Sequence, residues 1–362
     1  MKLLIYIPHL QTGGPQKIIS GIAKGLLGKG VQVSLLVNKA GGGYWDQLSE
    51  QKIRLDSLDT DSRFPIRKLA SYLSASEAEL VFTTLDSVTT TAAARKRFGA
   101  QGKKYIARPA NHLTLNSREL FKKNPLKYSL SWMAAAWAAH QYDHVVCQSE
   151  DIKSDLARYW VPQAKMTVIN NFIDVASTPK AAITGEKTRY VSVGRLSAQK
   201  GYDILLDAIS KLDPEQQSSI QFDIFGDGPA REALLKQRNS LGLDAIVDFR
   251  GHIADVRGSI AQYDYYVSSS RYEGFPNTVL EALAEGVPVL ATHCPGGITE
   301  LISKTTGLKC PPNSPVELAK LIATSLEPLD FSREAIVAEI REKFSTEKIL
   351  HEYHQLLCEA AA

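Results

Sequence analysis

Short apolar runs alternate with helix-length stretches along the first half of the chain. "LLIYIP" leads through "TGGPQ" into "KIISGIAKGLLGKG", and "VQVSLLV", "ELVFTT", "KKYIARP", "DHVVCQS" and "KMTVINN" follow. Continuous apolar runs of this length, separated by crossover segments, predict parallel strands covered on both faces. Near Asp174 the pattern stops. "VASTPKAAITGEKT" is small and polar, contains proline and has no apolar period, which predicts a linker. The pattern then restarts with "RYVSVG", "IQFDIFG", "AIVDFRG", "DYYVSS", "VPVLAT" and "GLKCPP" as strands between helical segments. The fold class predicted is α/β, with two doubly wound Rossmann-like domains: residues 1–174, a linker at 175–188, residues 189–343, and a C-terminal helix at 344–362 packing back on the first domain. Ligands bind beyond the C-terminal ends of parallel strands, so the cleft between the two domains is the expected site.

A chain of 362 residues is too long for one hydrophobic core and suits two. Its net charge of +3 is too small to imply nucleic acid. Cys147, Cys294, Cys310 and Cys358 show no metal-ligand spacing and read as reduced cytosolic thiols. Pro8, His9 and Gln11 break the N-terminal apolar run, against a signal peptide, and no run reaches the length of a membrane span. The expectation is a cytoplasmic protein, peripheral on the inner face of the cell membrane if it meets a membrane at all.

Charge is unevenly placed, however. From Arg95 to Lys127 ten basic residues, Lys122 and Lys123 among them, face one acid, Glu119; Trp132, Met133 and Trp137 follow at helical spacing. Cations beside Trp and Met suit an anionic membrane surface, while a solvated basic face beside a core helix is the other reading.

Loops after the strands carry the candidate chemistry. "GRLSAQKG" presents Arg195 and Lys200, a planar fork and a point charge suited to a diphosphate. "GDGPAREAL" makes an efficient strand-to-helix connection beginning at Gly226. In "SRYEGFPNTVLEALAEG", Glu273 precedes a helix whose first amides, Asn277, Thr278 and Val279, can receive phosphate oxygens. Glu281 has two readings, a ligand contact or the far half of a Thr278-x-x-Glu281 capping box. "HLQTGGPQK" puts Gly13 and Gly14 in a turn able to cradle phosphate or sugar, without the three-glycine dinucleotide fingerprint. His112, beside Asn111, follows the strand "YIARP" and competes with His9 for a sugar-facing role. Asp59 and Asp61 lie in a polar stretch and read as surface aspartates.

Taken together, "GGPQK", "VSVGRLSAQKGYDILLDA", "FDIFGDGP", "FRG", "SRYEGFPNTVLEALAEGVPVLAT" and "GGITELI" resemble the retaining family 4 glycosyltransferases of bacterial surface-polysaccharide type, most specifically from Tyr190 to Leu308. The resemblance implies a GT-B fold with the nucleotide-sugar donor held mainly by the second domain and the acceptor by the first. Glu273 and Glu281 match the family's E-x(7)-E motif. By resemblance Glu281 holds the ribose, Glu273 faces the donor sugar, Arg195 and Lys200 bind the diphosphate, and His112 acts beside the transferred sugar. Gly14, Gly226, and His252 and Ile253 directly after "FRG" complete the donor-binding set. The implied reaction moves a hexose or N-acetylhexosamine from a UDP-sugar, with GDP-mannose the second choice, to a hydroxyl of a lipid-linked or oligosaccharide acceptor. No obligatory metal and no nucleic-acid partner are implied. A nucleotide-sugar epimerase of the same fold and a noncatalytic nucleotide-sugar binder are the alternatives.

Overall fold

The computed structural model describes residues 1–11, 13–51, 53–85, 87–98, 102–110, 112–115, 125–175, 185–252 and 255–362, with backbone alone for 125–132. Ile253, Asn111, Lys122, Lys123, the Trp132 side chain and most of the 175–188 linker therefore lie outside the described residues. The chain divides into two compact units, Met1–Phe172 with Thr346–Ala362, and Ile173–Ser345.

Unit 1 is built on a seven-stranded sheet in the order β3-β2-β1-β4-β5-β6-β7. Its strands are β1 (Lys2–Tyr6), β2 (Gln32–Val37), β3 (Arg54–Ser57), β4 (Leu80–Thr84), β5 (Lys104–Arg108), β6 (His144–Cys147) and β7 (Met166–Val168). Every pairing is parallel. The central strands are apolar nearly throughout because helices cover both faces. On one face the Gly14–Gly28 and Thr346–Ala361 helices pack over Leu3, Ile5 and Phe82; on the other the Ile66–Ala75, Ser87–Phe98, Pro125–His140 and Glu150–Ala157 helices pack over Leu4, Val81 and Tyr105. The apolar pattern does not announce β3. Its sequence, "RLDS", is exposed or half-buried throughout, as an edge strand with one solvated side can be.

The last helix belongs to unit 1. A Cβ on Gly25 would lie 2.0 Å from Leu350 Cδ1, so glycine is what lets the first and last helices meet this closely. Tyr353, wholly buried, stands edge-on to Phe82 and accepts a hydrogen bond from Arg108 Nε at 3.0 Å. The buried Arg108 guanidinium also donates to Asn171 Oδ1.

Unit 2 repeats the plan in six parallel strands, β10-β9-β8-β11-β12-β13. These are β8 (Thr188–Val193), β9 (Ile220–Phe225), β10 (Val247–Gly251), β11 (Tyr265–Ser268), β12 (Val289–Thr292) and β13 (Gly307–Cys310). Each sheet reverses its strand order beside its first strand, between β1 and β4 and between β8 and β11. Loops leaving such a switch point diverge and leave a crevice. Among the described residues no helix is long and apolar enough to cross a membrane.

Candidate functional site

In unit 2 the loops that leave β8 and β11 are laced to each other at the switch point. Gly201 has φ of +64°, and a Cβ there would lie 2.1 Å from the Ser269 carbonyl oxygen, so the loops can touch only at a glycine. Ser269 Oγ donates to the Lys200 carbonyl at 2.9 Å, the Arg271 amide to the Gln199 carbonyl at 2.8 Å, and Gln199 Nε2 to the Tyr272 carbonyl at 3.0 Å. Arg271 grips both oxygens of Asp203, at 2.8 and 2.5 Å, and the Ala198 carbonyl at 2.6 Å. Burial acts to raise the Asp203 pKa, yet the Arg271 hydrogen bonds and charge hold it below the usual carboxylate value. Arg271 thus fastens the loop that presents Arg195 and Lys200.

Glu273 is buried between these loops. Its Oε1 accepts from Lys200 Nζ at 2.8 Å and from Ser270 Oγ at 2.6 Å, so both hydrogen bonds fall on one oxygen. Burial works to lower the Lys200 pKa, but the neighbouring Glu273 carboxylate outweighs it and raises the value above that of ordinary lysine. The Glu273 amide donates to the Pro295 carbonyl at 2.9 Å, and Gly296, with φ of +116°, lets the third loop pass: a Cβ there would lie 2.2 Å from the Glu273 carbonyl oxygen. Arg195 is exposed, and no carboxylate among the described residues pairs with it. Gly226, with φ of +132°, serves loop packing, since a Cβ there would lie 2.0 Å from the Gly194 carbonyl oxygen. His252 is exposed beyond β10.

The Asn277–Ala284 helix does not use Glu281 in a capping box. Pro276 occupies the N-cap position and no side chain caps the helix, so Thr278 lies inside it and the Thr278-x-x-Glu281 box is not formed. Tyr266, across from the helix, sets its hydroxyl 2.8 Å from Thr278 Oγ1 and draws that side chain inward. Glu281 is buried in the second turn, near the positive end of the helix dipole. One sequence expectation needs correction here. The Val279 amide is bonded to the Pro276 carbonyl at 3.1 Å, because the first turn is tight, and it does not belong with the amides of Asn277 and Thr278 as a phosphate donor.

In unit 1, Gly14 opens the first helix after the extended Gly13, and the buried Gln16 places its Nε2 3.4 Å from Nδ1 of the exposed His9. His112 is buried, with Nδ1 3.1 Å from Asp155 Oδ2. Asp155, on the Glu150–Ala157 helix, also accepts from the Thr114 amide at 3.1 Å and from the Thr114 hydroxyl. Burial acts to raise the Asp155 pKa, but the bonds from His112 and Thr114 keep it below the ordinary carboxylate value. A carboxylate that holds one imidazole nitrogen fixes the ring and leaves the other for a ligand. Nothing in the sequence marks Asp155, which lies 41 positions from Thr114. Asp61 pairs with Lys39 Nζ at 2.8 Å on the surface, as a solvated aspartate does.

Two family models cover separate parts of the chain, "Glycosyltransferase Family 4" over residues 12–177 and "Glycosyl transferases group 1" over residues 187–327. The lipopolysaccharide core biosynthesis glycosyltransferase LpsE of Rhizobium meliloti (strain 1021) is 30% identical over 162 residues, 42% of this chain and 45% of that protein. The putative colanic acid biosynthesis glycosyltransferase WcaL of Escherichia coli (strain K12) is 26% identical over 257 residues, 68% of this chain and 57% of that one. The chain spans about half the length of the curated relatives it matches. Anabaena Alr3699/HepE in complex with UDP-glucose superimposes over 99% of this chain and 100% of its own with a TM-score of 0.81 at 21% identity. Sucrose-phosphate synthase (tll1590) from Thermosynechococcus elongatus does so over 99% and 98% with a TM-score of 0.82 at 18% identity. Two parallel sheets of seven and six strands, matched at this level, make the fold GT-B.

Proposed function

The chain belongs to the family 4 glycosyltransferases, and on that premise we propose that it moves a hexose or N-acetylhexosamine from a UDP-sugar to a hydroxyl of a lipid-linked or oligosaccharide acceptor, with retention at the anomeric carbon. The observation that carries the reading is the Lys200–Glu273 pair held at the β8/β11 switch point, beside the start of the helix that buries Glu281. In this reading Arg195 and Lys200 neutralise the diphosphate, Glu281 binds ribose hydroxyls, and Glu273 accepts from a hydroxyl of the donor sugar through Oε2. Gly14, Gly226, His252, Asn277 and Thr278 line the donor side; His9 and Gln16 shape the acceptor side.

The reaction is a front-face displacement. The bond from the anomeric carbon to the phosphate oxygen breaks, the bond from that carbon to the acceptor oxygen forms on the same face, and the acceptor proton passes to the departing phosphate. Cations at the diphosphate stabilise the charge that develops there, and His112, steadied by Asp155, supports the positive charge at the anomeric carbon. No carboxylate pair flanking the bond is required, unlike in glycoside hydrolysis. A location at the inner face of the cell membrane follows for a lipid-linked acceptor. UDP-bearing and polysaccharide-forming relatives support this choice of donor and acceptor class.

The test is a panel of UDP-sugars and GDP-mannose offered with lipid extracts and oligosaccharides, following both nucleotide release and glycosylated product. A product with the anomeric configuration of the donor is expected. Donor conversion to an isomer without transfer would replace the reading with an epimerase, and donor binding without turnover with a sensor.

A further inference from the structure

Among the described residues the exposed large hydrophobic side chains are unevenly shared. Phe64, Phe98, Met133, Trp137 and Trp160, exposed by 50, 43, 58, 40 and 85%, all belong to unit 1, and unit 2 contributes Val316 alone. Four of the five sit on or beside three helices that cover one face of the unit 1 sheet, Ile66–Ala75, Ser87–Phe98 and Pro125–His140, which pack side by side. None of the three helices contains an aspartate or glutamate. Their sequences, "IRKLASYLSA", "SVTTTAAARKRF" and "PLKYSLSWMAAAWAAH", carry Arg67, Lys68, Arg95, Lys96, Arg97 and Lys127 instead.

These features adjoin one another. Phe64, Arg67, Lys68, Arg97 and Phe98 line one 350 Å³ cavity between the first two helices. Arg95 bonds to the Gln141 carbonyl just past the third helix, and Gln141 Nε2 reaches back to the Trp137 carbonyl at 3.4 Å. His140, ending that helix, lies 2.7 Å through Nε2 from the Tyr159 carbonyl, next to Trp160. Of the nearby acids, Asp61 pairs with Lys39 and Asp143 with Arg95 at 3.1 Å, and Asp59 is exposed beside Lys68, which bonds its carbonyl. The fourth helix on this face carries Glu150 and Asp151 in its first turn, away from the Trp160 end, and Asp155, which is buried against His112 and Thr114. Trp160 itself has φ of +57°, a left-handed conformation that opposes a bulky side chain and suits glycine. A tryptophan kept there at 85% exposure needs a reason other than packing.

We propose that the outer surface of this helix layer, with Phe64, Phe98, Trp137 and Trp160 as apolar anchors and Arg67, Lys96 and Arg97 as the charged set, docks the protein on an anionic lipid bilayer. The proposal rests on the reading that the acceptor is lipid-linked and deepens it by naming the surface. A bilayer fits the chemistry better than its rivals. Its headgroups supply the negative charge that the three helices lack, and its interface accepts tryptophan and phenylalanine rings. A second copy meeting this face symmetrically would set like charges against each other. The surface differs from the Lys122–Lys123 segment that the sequence suggests, which lies outside the described residues.

Vesicles test it directly. The whole protein is sedimented with phosphatidylglycerol-containing and with pure phosphatidylcholine vesicles at low and raised salt, and its tryptophan emission is recorded. Binding to the anionic vesicles alone, weakened by salt, with a blue shift in emission, is expected. Arg67→Glu with Arg97→Glu should weaken that binding at least fivefold per site, since each basic residue near an anionic surface contributes about 1 kcal/mol, roughly a factor of five. Trp160→Gly keeps the left-handed backbone, so its melting temperature should hold while vesicle binding falls. Equal or negligible binding to both vesicle types, or full binding by the doubly reversed variant, would overturn the proposal. So would tighter binding to single-stranded polyuridylate than to vesicles, or a concentration-dependent dimer lost in the same variants. UDP titration of the same preparations separates the two readings. If UDP fails to bind the wild type, the donor assignment falls whatever the vesicles show; if UDP binds and vesicles do not, only the docking surface falls.

Discussion

Lys200 and Glu273 are deeply placed partners, 21% and 7% exposed at the side chain, and removing one strands the other. Breaking a buried ion pair on one side costs about 3–5 kcal/mol, most of it the penalty of an uncompensated charge. Here Ser270 keeps its 2.6 Å bond to Glu273 Oε1 and Lys200 retains some water, so Lys200→Ala should cost less, about 2–3 kcal/mol. Glu273→Gln should cost only about 1 kcal/mol, because an amide oxygen can still accept from both Lys200 and Ser270. The double variant should then be more stable than Lys200→Ala alone by about 1–2 kcal/mol, which together with the cost of Glu273→Gln makes a coupling of about 2–3 kcal/mol for a true pair. In a unit of this size 1 kcal/mol moves the melting point by about 2–4 °C. Trp45, Trp132, Trp137 and Trp160 all lie in unit 1, so tryptophan emission does not report on this pair; calorimetry or far-ultraviolet dichroism does. Additive single-variant effects would refute the pairing argument. The same proteins carry a binding readout: a diphosphate contends with Glu273 for Lys200, so Glu273→Gln should bind UDP more tightly and turn over more slowly, whereas Lys200→Ala should bind it more weakly.

Glu281→Gln should leave the melting temperature almost unchanged, since glutamine keeps an acceptor oxygen at the same place, while weakening UDP binding by about 1.5–3 kcal/mol in titration calorimetry; an early melt with normal UDP binding would contradict this. Arg271→Ala removes a bidentate but partly exposed pair worth about 1 kcal/mol. The Asp203 carboxyl, held low in the folded state, contributes stability present above its ordinary pKa of 3.8 and lost as pH falls through its folded value. The Arg271→Ala variant should therefore show a flatter loss of stability on the acid side, measured by urea unfolding at successive pH values below 5. Gly25→Ala should destabilise unit 1 by about 1–3 kcal/mol through its clash with Leu350, read by tryptophan emission, and an unperturbed melt would mean that the last helix shifts freely.

The sheets were legible because covered parallel strands must be apolar on both faces, which is what "LLIYIP" and "VPVLAT" display. β3 was not, since an edge strand is free to read "RLDS". The placement of Arg195, Lys200 and Glu273 on loops was legible, since charge accompanies glycine directly after a strand. Their partners were not: Ser270 and Asp203 act through contacts that no spacing announces, and Asp155 reaches His112 from another helix. The capping box misled because spacing cannot see that Pro276 takes the cap position or that Tyr266 claims the Thr278 hydroxyl.

The Thr346–Ala361 helix gives the chain an order of assembly. Unit 1 needs it to cover Ile19, Leu26 and Phe82, yet the ribosome makes it only after all of unit 2. During synthesis the second unit can close as a continuous segment while the first waits with an apolar groove open along its leading helix. For that interval the groove is a target for chaperones and for neighbouring nascent chains, and Arg108 and Asn171 stand without the tyrosine that completes them. Maturation of the first unit is thus set by translation of the last sixteen-residue helix, and slow decoding within unit 2 lengthens the exposure of unit 1.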